Sequence, residues 1–178
     1  IWGVGTRLVT SFSCPALGGV YKLTALDEEG KGIVPKIKRS DNPEKIINPG
    51  LKKVVRMYDQ KGEMRGDVLF LEQERLPEGR SFRAYHPMFP HVFKTYPREF
   101  RMGELMVPIF QKGELVYQGP DVHVIREHTL KNLEELDAAY KRFRNPHTYH
   151  VSLSPTLFAI KQRLLRQATR RLTTVSQP

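Results

Sequence analysis

With 178 residues the chain is long enough for one well-filled core, or for one domain and a piece of another. No apolar run approaches the roughly 18 residues of a membrane span, and the single cysteine, Cys14, excludes an internal disulfide and fits a reducing cytoplasm. Lys and Arg number 29 against 19 acids, a formal charge of +10, which favours anionic partners of any kind: nucleic acid, acidic lipid or phosphorylated metabolites. No RNP-like run, zinc-finger spacing or bZIP heptad accompanies that charge, so nucleic-acid binding is the alternative reading and rests on composition alone.

The opening residues Ile1 and Trp2 read as the end of a buried strand. Gly3 and Gly5 allow a turn whose amides converge on a phosphate, with the Thr6 hydroxyl beside them. Gly-x-Gly alone also occurs in ordinary tight turns. No third glycine completes a dinucleotide fingerprint and no Gly-Lys-Ser/Thr follows at Walker spacing, so a phosphate loop here is of another kind. An apolar opening with neither an initiator methionine nor a basic leader predicts a cut inside a strand of a larger protein.

Residues 18–26 read as a strand that stops in the acidic, glycine-containing turn 27–32. A short basic strand is expected over 36–39 and a longer one over 52–58. The continuous apolar run Val68, Leu69, Phe70, Leu71 predicts a strand buried on both faces. Further strands are expected at 81–85, and at 105–110 paired with 114–117 across Gln111, Lys112 and Gly113. The stretch 86–101, with three prolines, reads as a packed loop.

The period then changes. Leu130, Leu133, Leu136, Tyr140 and Phe143 predict one face of a helix starting just after Asp121 and stopping before Asn145 and Pro146. Ser154 and Pro155 mark the start of a second helix, whose apolar stripe is Leu157, Ile160, Leu164, Ala168 and Leu172. The wet face of that helix is expected to carry Lys161, Arg163, Arg166, Arg170 and Arg171, and its tail, 173–178, to fray.

Seven cations lie between residues 36 and 56 (Lys36, Lys38, Arg39, Lys45, Lys52, Lys53, Arg56) against Asp41 and Glu44, either a solvated basic surface or a collar for an anion. The six histidines lack metal-binding spacing: His123 and His128 are not in a His-Glu-x-x-His pattern, and His147 and His150 have no neighbouring carboxylate. Structural or surface roles are expected for all six, and Cys14 reads as a small buried thiol. No paired carboxylates, activated nucleophile or acidic magnesium cluster can be assembled, so no catalytic residue and no metal ligand is assigned.

Trp2-Gly3-Val4-Gly5-Thr6 together with Pro15-Ala16-Leu17-Gly18-Gly19-Val20-Tyr21-Lys22-Leu23 resembles the nicotinate phosphoribosyltransferase family. The resemblance continues through Lys36-Ile37-Lys38, Asn42-Pro43-Glu44-Lys45, Pro49-Gly50-Leu51-Lys52-Lys53, Arg56, His86-Pro87 and the run from Asn145 to Ser154, and it covers only the C-terminal part of such an enzyme. It implies an α+β chain: the end of an irregular α/β barrel of the type II phosphoribosyltransferase kind over 1–26, a small, mostly antiparallel β domain over 27–120, and two closing helices over 121–178. It implies that Gly3, Val4, Gly5 and Thr6 cradle the 5′-phosphate of phosphoribosyl pyrophosphate, with Lys22 contributing to this or to a partner subunit's pocket. The whole enzyme would be a cytoplasmic homodimer joining nicotinate to phosphoribosyl pyrophosphate with Mg2+ and ATP. The nicotinate-binding, magnesium-binding and phosphohistidine residues would lie upstream of Ile1. The present chain would then be inactive alone and would need neither a membrane nor nucleic acid as partner.

Overall fold

The computed structural model describes Gly3, Gly5 and residues 18–175. In chain order its elements are β1 (Ala25–Glu28), β2 (Gly32–Pro35), β3 (Lys52–Tyr58), β4 (Met64–Leu71), β5 (Phe82–Tyr85), β6 (Phe93–Tyr96), β7 (Arg101–Glu104), β8 (Phe110–Gln111), β9 (Glu114–Leu115), helix α1 (Val122–Glu135), β10 (Val151–Leu153) and helix α2 (Pro155–Val175). Six of the strands form one mixed sheet in the order β6-β5-β10-β4-β3-β7, flanked by the two-stranded β1-β2 and β8-β9 ribbons. All pairings are antiparallel except β10 on β4, so the α+β, mostly antiparallel architecture with two C-terminal helices is present.

Strand β4 fills the sheet because its side chains are apolar on both faces. Val68 and Phe70 join Val55, Met57, Ala84 and Tyr96 in one buried cluster, whereas Leu71 joins Leu153 and Leu157 in a second, with Leu69, Phe158 and Ile160 packed around it. The first cluster links β4 to β5 through Phe70 and Phe82, ring centroids 5.9 Å apart, and β5 to β6 through Phe82 stacked on Tyr96 at 5.5 Å. The second seats α2, whose Phe158 stacks on Tyr85 at 4.4 Å. At the start of α2, Ser154 Oγ accepts from the Leu157 amide at 3.1 Å and donates to Glu74 at 2.7 Å, while its own amide bonds Leu69 O at 2.9 Å. The serine thus caps the helix and fixes it to β4 at once.

Several expected boundaries move. The first strand begins at Ala25, where pairing with Pro35 begins, and residues 18–23 are exposed without a strand partner. Residues 36–39 are not a strand: β2 ends at Pro35, and beyond it the bond from the Lys36 amide to the Thr24 carbonyl is the last to extend the pairing among the described residues. The stretch 86–101 contains β6, with Pro87, Pro90 and Pro97 all outside the paired segment. Pairing in the β8-β9 ribbon is limited to Phe110 with Leu115 and Gln111 with Glu114, across Lys112 (φ 51) and Gly113 (φ 85), a type I′ turn.

Helix α1 starts as expected, with Asp121 accepting from the His123 amide at 2.8 Å. It ends at Glu135, ten residues short of Asn145, because Leu136 turns extended (φ −80, ψ 127) and bridges to Met64. Tyr140 then falls in a short 3-10 turn, Ala138–Tyr140, and Phe143 is fully exposed, so neither continues the helical stripe. Strand β10, which follows α1, lies inside the sheet between β5 and β4, so residues from 27–120 and from 121–178 share one core.

Candidate functional site

A basic cleft of about 540 Å³ opens beside the β1-β2 ribbon, and Lys22, Lys36, Lys38, Arg39 and Lys45 line it with Tyr21. Its shape follows from three local constraints. The Thr24 carbonyl accepts both the Lys36 amide at 2.8 Å and the Gly50 amide at 2.7 Å, drawing 18–24 against the segment after β2. Asn42 Oδ1 caps the 3-10 turn Pro43–Lys45 through the Glu44 amide at 2.9 Å. Lys22 Nζ then donates to the Lys45 carbonyl at 3.2 Å, closing the rim.

The seven cations between residues 36 and 56, either a solvated surface or a collar from sequence, divide between two places. Lys36, Lys38, Arg39 and Lys45 face the cleft, whereas the three on β3 are directed elsewhere. Lys52 donates to the Gly50 carbonyl, Lys53 pairs with Glu104 at 3.4 Å, and Arg56 holds Asp67 through two bonds of 2.9 and 3.0 Å. Within the cleft Lys36 is itself paired with Glu28, which the lysine holds below the usual carboxylate range. Lys38, Arg39 and Lys45 have no carboxylate partner among the described residues, so these three and Lys22 present the positive field to a ligand. Such an arrangement suits an anion with several charges and an apolar edge resting on Leu23, Ile37 and Ile47.

Of the site residues expected from sequence, Lys22 lies in this cleft. Gly3 and Gly5 are exposed, with open space around the position a Cβ would take. Val4, Thr6 and Cys14 lie outside the described residues, as do Ile1 and Trp2, where the end of a strand was expected.

Two polar groupings went unnoticed in the sequence. Arg65 gathers Asp59 at 2.7 Å, Glu63 at 2.6 Å and Asp137, pinning the chain after α1 to the β3-β4 turn. Next to it Arg56, Asp67 and Tyr149 form a chain in which Tyr149 donates to Asp67 at 2.9 Å; burial raises the Tyr149 phenol well above its ordinary value. The second grouping corrects an expectation: Lys161 is not on the wet face of α2 but 2% exposed. Its Nζ donates to Asn48 Oδ1 and to the Pro87 carbonyl, both at 2.8 Å, and burial lowers its ammonium from 10.5 to about 8. The signal was present in the spacing, since Lys161 follows Leu157 by four residues and adjoins Ile160.

Among the described residues no three His, Cys, Asp or Glu side chains are grouped as a metal ion would require, and no helix is long and apolar enough to cross a membrane.

Comparison with known proteins adds a chemical context to the cleft. Residues 51–161 match the family described as nicotinate phosphoribosyltransferase C-terminal domain. The chain is 38% identical over 173 residues to a nicotinate phosphoribosyltransferase of Bacillus subtilis, covering 97% of this chain and 35% of that protein. It is 33% identical to the protein of that name in Caenorhabditis elegans (88% of this chain, 27% of that one) and 32% identical to the human one (89% and 28%). The crystal structure of human nicotinic acid phosphoribosyltransferase superposes with a TM-score of 0.61 at 24% identity over 75% of this chain and 27% of that one, a likeness of fold. The chain spans about a third of the length of the curated relatives it matches.

Proposed function

Since the chain belongs to the nicotinate phosphoribosyltransferase C-terminal domain family, we propose that it is the C-terminal part of an enzyme of NAD synthesis. That enzyme forms nicotinate mononucleotide and pyrophosphate from nicotinate and phosphoribosyl pyrophosphate, coupled to ATP hydrolysis. The observation that carries the reading beyond family membership is the cleft in which Lys22, Lys38, Arg39 and Lys45 converge. Both substrates are anions, and phosphoribosyl pyrophosphate carries several charges that a cationic, partly apolar cleft concentrates and orients.

In this reading residues 1–26 close an irregular α/β barrel, and the amides around Gly3, Val4 and Gly5, with the Thr6 hydroxyl, cradle the 5′-phosphate. Lys22 extends that cradle, either in its own subunit or across a homodimer boundary. Glycosyl transfer from such a donor passes through an oxocarbenium-like state, so the protein acts mainly by positioning the base and stabilising the departing pyrophosphate. Mg2+ and ATP belong to the whole enzyme. The chain alone is inactive, and the whole enzyme works in the cytoplasm. Nucleic-acid binding has no support beyond net charge.

The test is steady-state kinetics of the full-length enzyme. Gly5→Val and Thr6→Val raise the Michaelis constant for phosphoribosyl pyrophosphate and leave nicotinate affinity unchanged; Lys22→Ala raises it roughly tenfold, the effect of one charge-assisted bond. Unchanged constants in all three variants reject the cradle.

A further inference from the structure

After β7 the chain leaves the sheet, and every residue from 104 to 131 is exposed. The segment is nevertheless regular: it contains the β8-β9 ribbon with its type I′ turn and the capped first turns of α1. Neither the ribbon nor α1 buries a single residue. Met106, Val107, Phe110, Leu115, Val122 and Val124 are each 52–67% exposed, with Phe110 and Leu115 paired across the ribbon and Val122 and Val124 on the helix. An isolated two-stranded ribbon is marginal in water, and so many large apolar side chains left exposed along one segment mark a site of contact. Charge narrows the occupant. In a chain of formal charge +10 this stretch carries three cations (Lys112, Arg126, Lys131) against four acids (Glu104, Glu114, Asp121, Glu127), which suits a protein surface and not a polyanion or an acidic membrane.

We propose that residues 104–131 are a docking arm whose apolar faces seat against the polypeptide that precedes residue 1 in the full-length enzyme. The inference rests on the reading of this chain as a C-terminal part. The relatives have roughly two thirds of their length outside the matched region, and a covalently attached surface reaches the arm at an effective concentration that a separate partner does not.

The experiment uses the full-length enzyme with a photo-crosslinking phenylalanine derivative placed at Phe110 or, separately, at Val124, followed by mass spectrometry of the adducts. The expected result is a crosslink to peptides upstream of Ile1 in a species of one-chain mass. A crosslink to a second copy, in a species of two-chain mass, overturns the proposal, as do adducts confined to residues 18–178 or no adduct at either position. Upstream adducts in an enzyme that makes no nicotinate mononucleotide reject the assigned activity and leave the arm standing.

Discussion

Lys161 shows how one side chain couples three parts of the chain. Its ammonium ties α2 to the segment before Gly50 through Asn48 and to the loop after β5 through Pro87, with no carboxylate to neutralise it. Truncating it leaves two acceptors without a donor and a void beside Leu157, so Lys161→Ala lowers stability by about 3 kcal/mol in urea unfolding. Its titration is measurable. The unfolded lysine keeps its proton up to 10.5 and the folded one releases it near 8, so between those values the unfolded state binds more protons and stability rises with pH. Tyr96 and Tyr149, whose phenols burial raises, act in the opposite sense only above the ordinary tyrosine range. Unfolding free energies measured from pH 8 to about 9.5 therefore rise in the parent and rise less in Lys161→Met, where Lys52 and Lys94, also lowered by burial, remain; an equal rise in the variant removes Lys161 as a cause.

Strand β4 depends on a backbone position that only glycine tolerates. Gly66 has φ 146, and a Cβ there would lie 2.6 Å from Tyr96 Oη, in the core, and 2.8 Å from the His150 backbone carbonyl. Gly66→Ala therefore costs about 3 kcal/mol, read from the shift in denaturation midpoint at constant slope. That contact joins β4 to β6 and to the chain before β10, and nothing in the local sequence announces it. Strands with their own signal were legible: β3 coincides with 52–58, and the apolar run 68–71 does face both clusters. The starts of both helices were legible from Asp121, Ser154 and Pro155, because capping is a local interaction. The end of α1 was not, since it is set by the bridge from Leu136 to Met64, a partner over 70 positions away. Strand β6 was hidden by the prolines around it. Of the candidate site, the cationic segment 36–45 was visible in composition, but its separation from Lys52, Lys53 and Arg56 depends on ion pairs formed across the sheet.

Taken together, the positive charge is unevenly used: ion pairs and carbonyls occupy the β3 cations, the cleft collects five others, and the arm from 104 to 131 is close to neutral. A nucleic-acid binder would instead present an unbroken basic track, with affinity falling steeply as salt rises. A labelled oligonucleotide is accordingly expected to show no saturable association with the full-length enzyme at about 0.15 M salt, checked by fluorescence anisotropy; tight, salt-sensitive binding would restore the rival reading. One feature of the sheet bears on how the protein is made. Because β10 comes late in the chain yet fills the gap between β5 and β4, a nascent polypeptide leaving the ribosome holds two incomplete half-sheets until residues 151–153 emerge. Premature termination between Glu104 and Val151 would release both halves with open edges, a species prone to aggregation and a natural target for chaperones.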